Sequence, residues 1–143
     1  MENIYLFRAK RIDNWKWVVG YYTYYPDGMN NTKDTKSVIR DTSVNPNKLY
    51  FVDPSTICKC TGLKDKNGKL IWENDICDGS TTRGAAFRNC LVLWNECKAR
   101  FDVRAMDCNF PMTLDGVASD ISICGLDYEV IGNRFDNPEL LEV

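Results

Sequence analysis

The side chains that could support catalysis or metal binding in this sequence are cysteines and carboxylates, because none of the 143 residues is a histidine. Without histidine the chain lacks the commonest general base and the commonest zinc ligand. A Ser-His or Cys-His catalytic pair is excluded as well. We therefore expect a protein that is not an enzyme and that holds no cofactor.

The candidate metal ligands are the seven cysteines, Cys58, Cys60, Cys77, Cys90, Cys97, Cys108 and Cys124. The Cys58-x-Cys60 spacing, followed by Cys77, differs from the paired C-x2-C knuckles of structural zinc sites. Two cysteines separated by one residue on a strand share a face, as two buried core residues would. The sequence thus favours reduced thiols that pack as small hydrophobic residues, and we predict no metal site.

Four carboxylates lie close together in the chain: Asp65, Glu73, Asp75 and Asp78. A two-metal nuclease needs several convergent carboxylates. Here the acids lie at predicted turns, where Asp and Asn are favoured for hydrogen bonds to the local backbone. We interpret them as turn residues and expect Asp75 to cap the turn that precedes Ile76.

Composition is that of an ordinary globular chain, 44% apolar and 27% charged, and 18 basic against 20 acidic residues leave a net charge of −2. Such a chain can bury a core without disulfides, and no global basic field attracts nucleic acid. No run approaches the length of a membrane span, and the first residues lack the apolar stretch of a signal peptide. We expect a cytoplasmic protein with no membrane partner.

The elements that would position these residues are predicted to be short strands. Runs rich in aromatic and β-branched residues alternate with polar turn clusters, and no long segment has the 3.6-residue period of a helix. Asn67-Gly68 predicts a tight hairpin turn in which both residues have positive φ. A second hairpin is predicted over residues 90–104, with its turn at residues 95–98.

These patterns predict a mostly β (β-rich α+β) fold of about ten short strands and one or two short helices. Residues 1–56 would form an N-terminal β subdomain, with a flexible loop near 26–36 where a PDG turn and polar residues offer nothing to bury. Residues 57–143 would form a small SH3-like β-barrel, from about 61 to 132, followed by a C-terminal tail.

Aromatic side chains on the predicted N-terminal strands are the first candidate binding site: Trp15, Trp17, Tyr21, Tyr22 and Tyr24. Core packing is the first interpretation of such a run, a partner-binding surface the second, and base stacking the third. The nearby basic residues Arg8, Lys10, Arg11 and Lys16 favour base stacking, whereas the acidic total disfavours it. As a site, we assign the aromatic residues to partner binding.

Basic side chains around the second predicted hairpin are the other candidate site: Arg83, Arg88, Lys98, Arg100 and Arg104. They could form a patch that binds an anion or nucleic acid. Charged residues are also what the solvated face of a strand usually carries, so both interpretations stay open.

Four stretches of the sequence resemble the YopX-like family of phage and prophage proteins. The central one is VDPSTICKCTGLKDKNGKLIWENDIC, residues 52–77, and the C-terminal one is YEVIGNRFDNPELL, residues 128–141. FRAK at residues 7–10 and WVVGYY at residues 17–22 resemble the N-terminal part of the family. The family has a glycine where this chain has Asn74. Since asparagine tolerates left-handed geometry best among the other residues, we expect the turn to be kept.

The resemblance implies a phage-encoded accessory protein of the host cytoplasm that forms homo-oligomers, and it supplies no catalytic residues. We hypothesise a non-enzymatic protein that binds a host protein or protein complex, in its most specific form a counter-defence inhibitor of a host immune complex. One alternative is a nucleic-acid-binding module for phage replication or regulation. A second alternative is an oligomeric binder that sequesters a signalling nucleotide.

Overall fold

A computed structural model of the chain describes residues 2–25, 36–80, 86–104, 112–113 and 128–142. The strands are β1 (Phe7–Lys10), β2 (Trp17–Tyr25), β3 (Lys36–Asp41), β4 (Lys48–Phe51), β5 (Cys58–Lys64), β6 (Leu70–Trp72), β7 (Asp75–Ser80), β8 (Ala86–Asn95), β9 (Arg100–Arg104), β10 (Met112–Thr113) and β11 (Tyr128–Asn133). Short 3-10 helices occupy Glu2–Tyr5, Pro54–Thr56 and Pro138–Leu141. No helix in these described ranges has the length and apolar character needed to cross a bilayer. The predicted mostly β class is confirmed.

The chain divides into two compact units, Met1–Cys60 and Thr61–Val143. The division falls inside β5. The first residues of β5 pair with β1, and β6 follows β5 in the strand order of that sheet. The segment near 26–36, predicted to be a flexible loop, lies outside the described residues apart from Lys36, which begins β3.

The first unit is an antiparallel sheet in the order β4-β3-β2-β1-β5. Its core consists of Ala9, Val18, Ile39 and Val52, which are small and β-branched residues suited to a buried strand face. One isolated antiparallel bridge joins Arg11 to Val52. The sheet therefore curls until the residue after β4 meets the residue after β1, without forming a closed barrel.

Gly20 marks the place where this sheet bends. β2 pairs with β1 as far as Gly20 and with β3 from Tyr21 onward. A Cβ atom at Gly20 would lie 2.0 Å from the carbonyl oxygen of Arg40, so only glycine allows the two backbones to approach this closely. The ladder between β2 and β3 consequently ends at Tyr21 and Arg40.

The second unit contains a five-stranded antiparallel sheet in the order β10-β9-β8-β7-β11. Its buried core comprises Ile71, Cys77, Cys90, Val92, Val103 and Tyr128. β10 and β11 are the edges of this sheet, and no closed barrel is present among the described strands. The predicted closure into an SH3-like barrel is therefore wrong. Hairpin order predicts neighbouring strands but not the stagger and edge pairing that closure requires.

The hairpin between β5 and β6 differs in its turn from the prediction. The N–H of Gly68 donates to the carbonyl oxygen of Asp65 at 3.0 Å, and the N–H of Asp65 donates to that of Lys69 at 2.8 Å. Gly68 has the predicted positive φ of 80°, but Asn67 is not left-handed, so the predicted pair of positive-φ residues is wrong. The carboxylate of Asp65 accepts the N–H groups of Asn67 and Lys69, both at 2.9 Å, and thereby favours a three-residue loop with one left-handed glycine.

The second predicted hairpin is confirmed as β8 and β9, with Asn95 opposite Arg100. Its turn comprises residues 96–99, one position later than predicted. Ala99 closes the turn at a φ of 50°, a left-handed conformation that glycine adopts more easily.

The central and C-terminal sequence motifs meet at Asn74. This residue has a φ of 70°, the left-handed geometry that the resemblance predicted. Its carbonyl oxygen accepts the N–H of Arg134 at 3.0 Å, and its side-chain oxygen accepts Nη1 of Arg134 at 3.2 Å. The N–H of Asn74 donates to the carbonyl oxygen of Val92 at 2.8 Å. The two motifs thus form one structural junction of the second unit.

The described cysteines carry thiols rather than disulfides: Cys58, Cys60, Cys77, Cys90 and Cys97. The first four are buried, which confirms the prediction that they act as small hydrophobic residues. Cys97 is exposed in the turn of the second hairpin, so the same prediction is wrong there. Cys108 and Cys124 lie outside the described residues.

Candidate functional site

Side chains of β2 alternate between the two faces of the first sheet. Tyr22 lies on the core face, where its ring centroid is 5.7 Å from that of Phe7. Trp17, Val19 and Tyr21 alternate with the core-facing residues and lie on the opposite face, which we call the outer face. The predicted aromatic site is therefore divided by the pleat of the strand.

The five predicted aromatic residues do not form one stacking platform. Trp17, half-buried, and Tyr21, exposed, share the outer face, whereas Tyr22 packs in the core. Tyr24 is exposed and follows Tyr22 on the core-face side. Trp15 is exposed in the turn before β2, where its φ of 60° is unusual for so bulky a residue.

Four apolar side chains on the outer face form an exposed group, which we call the outer strip: Val19, Tyr21, Leu49 and Phe51. Each is between 41% and 51% exposed. The register places exposed Arg40 opposite Tyr21 on one side and opposite Leu49 on the other. Of these four, the sequence predicted only Tyr21 as a site residue and missed Val19, Leu49 and Phe51. The alternation of Leu49 and Phe51 along β4 could have indicated that these two share a face of the sheet.

Two basic residues of β1 pack against indole rings. Arg8 and Lys10 are buried. The guanidinium carbon of Arg8 lies 4.6 Å from the centroid of the Trp17 ring, and Nζ of Lys10 lies 5.2 Å from the rings of both Trp15 and Trp17. Cations in this position are attracted by the ring quadrupole, by about 0.5–2 kcal/mol each. Burial leaves them little access to a phosphate backbone, which weakens the argument for base stacking.

A groove of about 490 Å³ opens in the first unit beside the uncovered part of β2. Residues 16–20 form one wall, residues 41–43 form another, and Arg11 and Tyr50 also line it. Its volume is in the range of small-ligand sites. The guanidinium carbon of Arg11 lies 4.3 Å from the centroid of the Tyr50 ring. Nε and Nη2 of Arg11 donate to the two carboxylate oxygens of Asp13, at 2.9 and 2.5 Å.

Hydrogen bonds to the carboxylates around this groove favour their charged form. Hydrogen bonding to the guanidinium of Arg11 lowers the pKa of Asp13 below its usual value. Ser43 donates to Oδ1 of Asp41 from its hydroxyl at 2.6 Å and from its N–H at 2.9 Å. These bonds, with the nearby charge of Lys48, lower the pKa of Asp41. The groove therefore presents fixed charges of both signs at neutral pH.

The basic residues predicted as an anion patch are spread along the second hairpin: Arg88, Lys98, Arg100 and Arg104. Arg88 lies in β8 and Lys98 in the turn that follows this strand, and the part of β8 from Arg88 to its end at Asn95 alone spans roughly 23 Å. Nε of Arg100 donates to Oδ1 of the buried Asp102 at 2.8 Å, which offsets its charge. Arg104 is exposed. Arg83 lies outside the described residues.

Three of the four clustered carboxylates serve the backbone. Asp65 accepts three backbone N–H groups, Asp75 accepts the N–H of Trp72 at 2.8 Å, and Asp78 accepts the N–H of Asn89 at 3.0 Å. The prediction that Asp75 caps the turn before Ile76 is confirmed. Within the described part of the chain, no group of three or more Cys, Asp or Glu side chains is placed to hold a metal ion.

Comparison with known proteins identifies the lineage of the chain. The family model described as "YopX protein" matches residues 6–142. The chain belongs to the YopX family. No curated protein matches its sequence. Among solved structures, this YopX-family chain is similar to protein EF1440 from Enterococcus faecalis, with 26% identity over 95% of this chain and 96% of the other and a TM-score of 0.49.

Proposed function

We propose that this YopX-family protein is a phage-encoded accessory protein without enzymatic activity, and that it binds a host protein or protein complex through the outer strip. In its most specific form, the partner is a host immune complex that the protein inhibits. The observation that supports this proposal is the exposure of four apolar side chains on one sheet face, with Arg40 in register between two of them.

The composition of the outer strip is that of a protein-binding hot spot. Tyrosine and arginine are enriched among residues that dominate binding energy, and large apolar neighbours exclude water around them. Arg40 lies between Tyr21 and Leu49 across three paired strands, so the backbone holds these side chains in register. A surface of this kind binds with little loss of conformational freedom.

Binding is favoured over catalysis by the chemistry of the remaining side chains. The sequence has no histidine, and three carboxylates of the acidic cluster are engaged by backbone N–H groups. A nucleic-acid-binding role is less well supported, because Arg8 and Lys10 pack against tryptophan rings and Arg100 is paired with Asp102.

Affinity purification from lysate of the bacterial host tests the proposal with two matched variants. Tyr21 and Tyr24 are both exposed tyrosines of β2, at 44% and 49%, but they lie on opposite faces. Truncation of a hot-spot tyrosine costs about 2 kcal/mol or more, roughly a thirtyfold loss of affinity. We expect Tyr21→Ser to lose a stoichiometric partner that both the unmodified protein and Tyr24→Ser retain.

Three results would contradict the proposal. Equal recovery by the two variants places the contact surface elsewhere. Recovery of DNA or RNA that falls steeply with added salt favours the nucleic-acid alternative. A change of oligomeric state in Tyr21→Ser, measured by light scattering, with no partner recovered by any form, assigns the outer strip to contacts between copies of this chain.

A further inference from the structure

The backbone of β2 presents hydrogen-bonding groups to the groove. The N–H of Arg11 donates to the carbonyl oxygen of Lys16 at 2.9 Å, which fixes the phase of the ladder between β1 and β2. In an antiparallel ladder, the residues that point toward a given neighbour alternate along the strand. The N–H and C=O of Val18 therefore point toward β1, and those of Val19 point away from it.

No described strand covers that second edge before Tyr21. The ladder between β2 and β3 begins with Tyr21 opposite Arg40, and Asp41 pairs only with Lys48 of β4. The backbone groups of Val19 thus face the groove rather than a neighbouring strand. Gly20 is covered by the backbone of Arg40, so the open edge comprises residues 17–19. At the rise of a β-strand this is about 10 Å, the length of three extended residues.

Charge is unevenly distributed around this open edge. Lys16 is exposed at its hairpin end, beside Arg11. The contacts of Arg11 with Asp13 and with the ring of Tyr50 hold its guanidinium in place, and two of its five N–H donors serve Asp13. Asp13 offsets the charge of Arg11, so the net positive charge at the hairpin end is that of Lys16, and Asp41 lies on the other wall of the groove. The hairpin end is therefore suited to a carboxylate, and the open edge to the backbone of an extended chain.

We propose that the groove binds an extended peptide segment of the partner as an added strand along β2, with an acidic side chain of the segment against Lys16 and Arg11. The inference rests on the proposed function, because the segment belongs to the protein that covers the outer strip. Backbone hydrogen bonds to Val19 supply affinity in such an arrangement, and the ion pair sets the register of the added strand.

Peptide titration followed by NMR tests the groove without knowledge of the partner. The probe is the capped peptide acetyl-Thr-Val-Glu-Val-Thr-amide, with one control in which lysine replaces glutamate and another in which the glutamate nitrogen is methylated. We expect a saturable shift of the Val19 amide signal with the acidic peptide, and affinity at least about tenfold lower for both controls. The Val92 amide, in the core of the second unit, is expected not to shift.

The Lys16→Glu variant provides a charge swap at an exposed position that the fold does not depend on. We expect this variant to prefer the lysine peptide over the glutamate peptide. An unchanged preference would overturn the inference. So would a Val19 signal that does not move at peptide concentrations of about 5 mM, where a site of millimolar affinity is mostly occupied.

The two proposals fail in distinguishable ways. If Lys16→Glu recovers the partner from lysate as fully as the unmodified protein does, the partner does not use the groove, and the inference is overturned while the outer strip stands. If the peptides bind as expected but Tyr21→Ser retains the partner, the assignment of the outer strip is wrong and the peptide-binding groove stands.

Discussion

Replacement of Asp65 by asparagine tests how far the second unit depends on one buried carboxylate. The side chain is 2% exposed. Its Oδ1 accepts the N–H groups of Asn67 and Lys69, both at 2.9 Å, and its Oδ2 accepts the N–H of Val130 at 3.0 Å. One carboxylate thereby joins the turn after β5 to β11, which lies 65 residues later in the chain.

Asparagine has the shape of aspartate but only one acceptor oxygen. Whichever way the amide is turned, its NH₂ group faces at least one of the three backbone N–H groups. A buried donor left without an acceptor costs about 1–3 kcal/mol. We therefore expect Asp65→Asn to lower the free energy of unfolding by about 2 kcal/mol at neutral pH. Asp65→Ala, which loses all three bonds, is expected to lower it by roughly 3–4 kcal/mol.

The stability that Asp65→Asn loses is expected to be smaller in acid than at neutral pH. Burial by itself would raise the pKa of Asp65, but the three backbone hydrogen bonds and the charge of Lys69 outweigh it and hold the pKa below its ordinary value. The stability that the carboxylate contributes is fully present above the unfolded-state pKa of about 3.9 and is lost as pH falls through the lower folded-state pKa. Asparagine does not titrate, so the difference between the two proteins shrinks in acid.

Urea denaturation followed by tryptophan fluorescence, at about pH 7 and about pH 3, measures both effects. Asp41→Asn is the control, because the Asp41 carboxylate accepts two hydrogen bonds from Ser43 at an exposed turn. Its replacement is expected to cost less than about 1 kcal/mol. A loss of unfolding free energy that is no larger for Asp65→Asn than for Asp41→Asn, or that is the same at both pH values, would refute the role assigned to the Asp65 carboxylate.

Three further predictions concern single positions. Gly20→Ala would place a Cβ 2.0 Å from a carbonyl oxygen of β3 and is expected to lower the free energy of unfolding by more than about 3 kcal/mol. Gly68→Ala meets open space at a φ of 80° and is expected to lower it by about 1 kcal/mol. Thermal unfolding compares the two, and equal losses would contradict the clash. Ala99→Gly relieves a φ of 50° and is expected to stabilise the protein by about 0.5–1 kcal/mol, so a lower urea midpoint would count against it. Burial, reinforced by a neighbouring carboxylate, raises the pKa of the Cys77 thiol, so iodoacetamide at neutral pH should label exposed Cys97 before Cys77. Peptide mapping that finds Cys77 labelled before Cys97 in the folded protein would show this explanation to be wrong.

Turn chemistry was largely predictable because it depends on residues that are near one another in the chain. The left-handed conformation of Asn74 was expected from the glycine that the family has at this position, and the capping role of Asp75 from residue type and position. The prediction was wrong at Asn67, where the carboxylate of Asp65 selects a different turn from the one that Asn67-Gly68 favours alone. Even this correction involves residues within a few positions of the turn.

The candidate site was less predictable, because exposure depends on which strands lie side by side. Strand alternation alone separates Tyr21 from Tyr22 but does not say which of them is buried. The ring of Tyr22 is partly buried because it packs beside Phe7 in a core completed by β3 and β4. Leu49 becomes part of the outer strip through its register with Arg40, which no local pattern specifies.

By itself, the sequence determined the β class, the exclusion of histidine chemistry and the membership of the YopX family, since composition, short-range patterns and motifs carry that information. Only the tertiary structure decided that the second sheet stays open, that the outer strip is exposed and that the edge of β2 at Val19 faces a groove. Edge pairing and burial arise from contacts between residues far apart in the chain, and local propensity does not encode them.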